Sequence, residues 1–127
     1  MSKTAMIVDD DPDFAEMAQD LLGRIGWRCV IARSGDAALE LLKTESPHVV
    51  LLDLHMPGCD GFEVLRYLKS APATRVIPVI ICSITQTAKD RERAISEGAQ
   101  EFLPKTKYLT ELIPRLQRYL NENRTLP

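Results

Sequence analysis

Five short apolar stretches divide the chain: Ala5–Val8, Arg28–Ile31, Val49–Leu52, Val76–Cys82 and Glu101–Leu103. Each has the length of a strand, and several are rich in β-branched residues, which suit a pleated and crowded surface. Their apolar character is continuous rather than alternating, so both faces are expected to be buried, as in a parallel sheet covered by helices on two sides. Between them the period changes. Phe14, Met17, Ala18, Leu21, Leu22 and Ile25 recur at steps of three and four and form one stripe on a helix. Further stripes follow at Ala38–Leu42, at Phe62, Leu65 and Leu68, over the shorter Ala88–Ile95, and from Leu109 through Leu112, Ile113 and Leu116 to Leu120. Strand and helix thus alternate five times, which predicts an α/β fold: a single (βα)5 unit on a doubly wound, parallel five-stranded sheet with right-handed crossovers.

Turn chemistry supports these boundaries. Asp11-Pro12 reads as an N-cap followed by proline at the first helical position, and Asp60 with Glu63 reads as a capping box. Gly26 and Gly98 suit helix C-termini, and Pro47 ends the second helix. Pro104 fits an edge strand. Pro114 falls inside the last predicted helix, where it removes a backbone hydrogen bond unless that helix begins near Thr110.

A chain of 127 residues buries one core and leaves little room for a second. The formal charge of -2 argues against a nucleic-acid surface, which needs clustered Lys and Arg. No apolar run is long enough to cross a bilayer, and Met1-Ser2-Lys3 leads straight into the first strand without a signal sequence, so a cytoplasmic protein is expected. Cys29, Cys59 and Cys82 are odd in number and lack metal-like spacing, so they read as reduced thiols without a role.

The informative polar residues stand where the apolar runs end, because ligands of open α/β sheets bind beyond the carboxyl ends of the strands. The first run ends in Asp9-Asp10, the third in Asp53, the fourth in Ser83, and Lys105 follows the fifth. Capping explains Asp11 and Asp13, which suit a helix start and its dipole, but not Asp9 and Asp10, which precede the cap. At roughly 5 Å and an effective dielectric near 20, each pair of carboxylates repels by about 3 kcal/mol. Something cationic is expected among them. Oxygen-only ligands favour a hard ion such as magnesium, and Lys105 brings a second positive charge suited to a phosphate. Taken singly, Ser83 would be an ordinary strand end, Lys105 a solvated lysine and Phe102 a core residue. The His55 side chain is expected at the surface, and His48 has no neighbour that makes a metal site.

Four segments in this order, Val8-Asp9-Asp10, Leu52-Asp53-Leu54-His55-Met56-Pro57-Gly58-Cys59-Asp60-Gly61, Pro78 to Ser83 and Gly98 to Lys105, resemble the receiver domain of two-component response regulators. The resemblance spans about residues 4 to 121, implying a receiver domain over 1-121 and a tail or linker over 122-127. It implies the flavodoxin-like strand order 2-1-3-4-5, of which this family is itself an example. It also implies that Asp53 is the nucleophile, taking a phosphoryl group from a histidine kinase or a histidine phosphotransfer protein. Asp10 and Asp53 would hold Mg2+ through their carboxylates, Asp9 would help directly or through water, and His55 would add its backbone carbonyl. Ser83 and Lys105 would contact phosphoryl oxygens, and Phe102 resembles the aromatic that turns inward when the hydroxyl residue moves. The output face would be the fourth predicted helix, the fifth strand and the fifth predicted helix, serving a downstream effector or a homodimer.

Two positions depart from the family. Ile84 stands where relatives carry a small residue, and is expected to narrow the entrance and slow small phosphodonors. Thr106 stands where the family has proline, so the loop after Lys105 is expected to run differently. These departures leave a second reading, a receiver-like interaction module that no longer phosphorylates, against which the intact acids argue. A flavin domain of similar topology would need a Ser/Thr/Gly-rich phosphate loop after the first strand, and Asp9-Asp10-Asp11-Pro12 would repel a phosphate instead.

Overall fold

The computed structural model describes residues 3–125 apart from 57, 59, 85 and 86, with side chains described up to residue 118. Pro57 and Cys59 of the acidic motif, and the last two residues of the tail, therefore lie outside the described residues.

The order is β1 (Thr4–Val8), α1 (Pro12–Gly23), β2 (Arg28–Ala32), α2 (Gly35–Leu41), β3 (Val49–Leu52), α3 (Gly61–Ser70), α4 (Pro72–Arg75), β4 (Val79–Ser83), α5 (Ala88–Ser96), β5 (Glu101–Pro104) and α6 (Tyr108–Thr125), with a 3-10 turn at Lys105–Lys107. All strand pairings are parallel and the order across the sheet is β2-β1-β3-β4-β5, the flavodoxin-like arrangement. The central strands β1, β3 and β4 are buried along their whole length, which is why their sequences do not alternate. Successive residues serve opposite faces. Met6, Val8, Val50, Leu52 and Ile81 pack beneath α2, α3 and α5, while Ala5, Ile7, Leu51, Ile80 and Leu103 pack beneath α1 and α6. Both sides of the sheet are thus covered.

The caps form as the side chains dictate. Asp11 accepts from the backbone N–H of Asp13 and Phe14, and Asp60 from that of Glu63. Gly26 and Gly98 adopt positive φ after α1 and α5.

Two boundaries in the second half of the chain differ from the expectation. The fourth strand begins at Val79 rather than Val76, because Ala71-Pro72 starts the short helix α4 and Val76 is its exposed C-cap. Lys69 fixes this connection by donating to the carbonyls of Arg75 at 3.0 Å and Ile77 at 2.9 Å. The predicted fourth and fifth helices are accordingly α5 and α6. Finally, α6 begins at Tyr108 rather than near Thr110, so Pro114 lies in its interior and leaves the Thr110 carbonyl without its helical donor.

Candidate functional site

Hydrogen bonding carries the sheet one residue past its strands. The Asp9 N–H donates to the Ala32 carbonyl at 3.0 Å, and the Asp53 N–H to the Val8 carbonyl at 2.9 Å. Both acids are thereby fixed at the open end of β1 and β3, where the direction of winding reverses. Asp9 is 1% exposed and Asp53 6%, whereas Asp10 is exposed. One carboxylate oxygen from each of the three lies within 4.8 Å of the others.

Lys105 closes the cluster from the end of β5. Its Nζ lies 2.7 Å from Asp9 Oδ2 and 3.6 Å from Asp53 Oδ2. It also sits 4.6 Å over the Phe14 ring, which meets Tyr108 edge-on at 4.8 Å. The sequence pattern places Phe14 only on a helix stripe and gives no sign of this contact. The loops supply further donors: Asp11 N–H to Asp9 Oδ1 at 2.9 Å, and His55 N–H to Asp53 Oδ1 at 3.2 Å. Ser83 is the last residue of β4 and fully buried, and Phe102 is buried in register with Ile81.

Burial pushes the Asp9 and Asp53 carboxyls above their ordinary value, and Lys105 pulls both back only in part. For Lys105 itself burial acts downward, but its contact with Asp9 and the charge of Asp53 outweigh it, so its amine is held above the usual lysine value. Behind the acids, burial and then the Asp9 charge drive the Cys82 thiol up to about 12, leaving it inert.

One ammonium faces three acids here. Lys105 Nζ, 2.7 Å from Asp9 Oδ2, answers that oxygen directly and Asp53 more distantly, at 3.6 Å. Three clustered carboxylates against one ammonium leave a surplus of negative oxygen, a donor set that fits a hard divalent cation.

The structure brings Asp9, Asp10, Asp53 and Lys105 together and places Ser83 at the end of the neighbouring strand. The His55 side chain is exposed as expected, but its Nε2 lies 2.9 Å from Asp90 Oδ2 at the start of α5. The two residues stand 35 positions apart, so no local spacing announces the pair. Ile84, directly after Ser83, is 75% exposed. After Lys105 the chain enters the 3-10 turn, and Lys105 still reaches the acids with threonine next to it. His48 serves the architecture, since its Nδ1 accepts from the Thr4 N–H at 3.0 Å.

Comparison with known proteins agrees with this geometry. Residues 5–117 match the family model of the response regulator receiver domain. The chain is 33% identical over 122 residues to response regulator MprA of Mycolicibacterium vanbaalenii, covering 96% of this chain and 51% of that protein. It is 30% identical over 122 residues to the polar-differentiation response regulator DivK of Brucella ovis, covering 96% of this chain and 99% of that protein. It therefore spans about half the length of the MprA relatives and nearly all of DivK. Among solved structures, the receiver domain of a signal transduction histidine kinase from Syntrophus aciditrophicus superimposes with TM-score 0.89 at 29% identity, covering 99% of this chain and 96% of that one. The Mn(2+)-bound form of response regulator Rcp1 superimposes with TM-score 0.77 at 27% identity, covering 91% and 89%. The family match, on a doubly wound sheet with an acidic cluster at its reversal point, makes this a receiver-type signalling domain of two-component systems. The chain belongs to the response regulator receiver domain family.

Proposed function

We propose that Asp53 accepts a phosphoryl group from a histidine kinase or a histidine phosphotransfer protein in a Mg2+-dependent reaction, and that the resulting aspartyl phosphate switches the output face. The observation that carries this reading is the Asp53 carboxylate, 6% exposed at an open strand end, with Asp9 and Lys105 beside it. One Asp53 oxygen forms the bond to phosphorus as the donor's bond to phosphorus breaks. Such transfer needs positioning and charge neutralisation more than covalent help, so a short set of residues suffices.

Asp10, Asp53 and Asp9 would hold the cation, with the His55 carbonyl as a further oxygen; the ion would supply charge neutralisation for the incoming phosphoryl oxygens. The Mn(2+)-bound state of Rcp1 supports a divalent site in a relative. Lys105 pairs with a phosphoryl oxygen, and Ser83 donates its hydroxyl to another. Movement of Ser83 leaves room into which Phe102 turns, and α5, β5 and α6 present the changed face to a downstream effector or to a second copy as a homodimer. A cytoplasmic location and a domain ending near residue 121 belong to the same reading.

The test is covalent mass after incubation with Mg2+ and acetyl phosphate. The parent gains one phosphoryl group that maps to Asp53, and Asp53→Asn gains none. An unmodified parent would favour the interaction module that does not phosphorylate, and a label on another residue would overturn the assignment of Asp53.

A further inference from the structure

Only Ala94 of α5 is buried, so this helix has little apolar anchorage of its own. Its attachment toward α3 is polar. His55 Nε2 meets Asp90 Oδ2 at 2.9 Å. Arg93 lies 3.8 Å over the Phe62 ring and donates from Nε to Glu97 at 2.8 Å, and Arg66 of α3 reaches Glu97 at 3.5 Å. Asp90, Arg93 and Glu97 are spaced by three and four, so they share one face of α5. Between this face and the loop after β3 lies a cleft of about 610 Å³, which Asp10, His55, Phe62, Asp90 and Arg93 help to line.

The end of this seam touches the acidic cluster. His55 donates its backbone N–H to Asp53 Oδ1 while its side chain is held by Asp90. Asp90 as a carboxylate can only accept, so Nε2–H is the donor in this contact. His55 thus touches the acceptor residue through its backbone and the first turn of α5 through its side chain.

We infer that Asp90 is a positioning residue for the phosphoryl site: through the His55 side chain it sets the peptide that orients the Asp53 carboxylate, and through the same contact site occupancy is transmitted to α5. This deepens the proposed function and rests on it. The coupling is reciprocal by linkage, so a change at Asp90 alters ligand binding at the cluster, and ligand binding alters α5. The route is separate from Ser83 and Phe102, which belong to β4 and β5.

The test uses the whole chain with Mg2+ and beryllofluoride, a phosphoryl mimic, with affinity measured by calorimetry and backbone exchange by hydrogen–deuterium mass spectrometry. Asp90→Ala is expected to weaken beryllofluoride binding roughly tenfold, the scale of lost support behind a metal site. Combining it with His55→Ala should add little, since the two changes remove one contact. Asp90→Asn keeps an acceptor for Nε2–H and should bind nearly as the parent does. In the parent, loading changes amide exchange over residues 88–96; in Asp90→Ala that response is lost while the response around Ser83 persists. A structural role alone would not separate these responses, and the melting temperature should move by only a few degrees because the His55 side of the pair is half exposed to solvent. Parent-like affinity with an unchanged α5 response in Asp90→Ala would overturn the inference, as would equal losses in the Ala and Asn variants, which would indicate a charge effect. A parent that binds no beryllofluoride would overturn the proposed function itself.

Discussion

Asp9 and Asp53 are held in an environment that disfavours their own charge. Burial dominates both shifts, so the folded protein binds protons at these groups more readily than the unfolded chain does. Their contribution to stability is fully present below the ordinary carboxylate value of 3.8 and is lost as pH rises through the elevated folded values. Lys105 contributes stability below its ordinary 10.5 that is lost as pH rises through its raised folded value. Without a divalent ion, Asp53→Asn is therefore expected to be more stable than the parent by about 1 kcal/mol at neutral pH. The difference should shrink as pH falls toward about 4, measured by urea unfolding; an equal or less stable variant at neutral pH would contradict the electrostatic account. These acids were legible in the sequence because charge at the end of an apolar run has no cheap structural explanation. Lys105 and Ser83 gained meaning only from the strand ends around them. The Asp90 tie to His55 was illegible, since two distant segments meet only after the sheet is wound.

Element boundaries follow a similar division. The apolar runs that became β1 and β3 were plain because both faces of those strands are buried. The start of β4 was not, because Val76 and Ile77 look like strand residues while Pro72 and the reach of Lys69 decide the local path. Gly61 is another case. The Asp60 cap makes it the first residue of α3, but the sequence does not show that its N–H donates to the Leu54 carbonyl at 3.0 Å. A Cβ there would stand 2.5 Å from Leu54 Cα and collide with the Asp53 carbonyl. Gly61→Ala should thus cost about 1–3 kcal/mol in urea unfolding and weaken Mg2+ binding by shifting the acceptor segment. Unchanged stability and unchanged Mg2+ affinity would mean that α3 can move away from β3 at no cost.

For the molecule as a whole, alternating strand and helix segments were enough to predict a covered parallel sheet, whereas the order β2-β1-β3-β4-β5 came from family resemblance, since periodicity does not rank neighbours. The acidic cluster links the stability of this whole sheet to its ligand. Mg2+ at a hundredfold over its dissociation constant should stabilise the parent by about 2.7 kcal/mol, reversed by chelation, and should stabilise Asp53→Asn much less at the same concentration. Thermal unfolding with and without the ion checks this, and equal responses would place the ion elsewhere. A different consequence follows from Pro104. It ends a four-residue outer strand and has no N–H to give. The opposite margin begins with exposed Arg28, paired with Glu45. Neither border is a good template for recruiting a foreign strand, so both margins of the sheet disfavour edge-to-edge polymerisation.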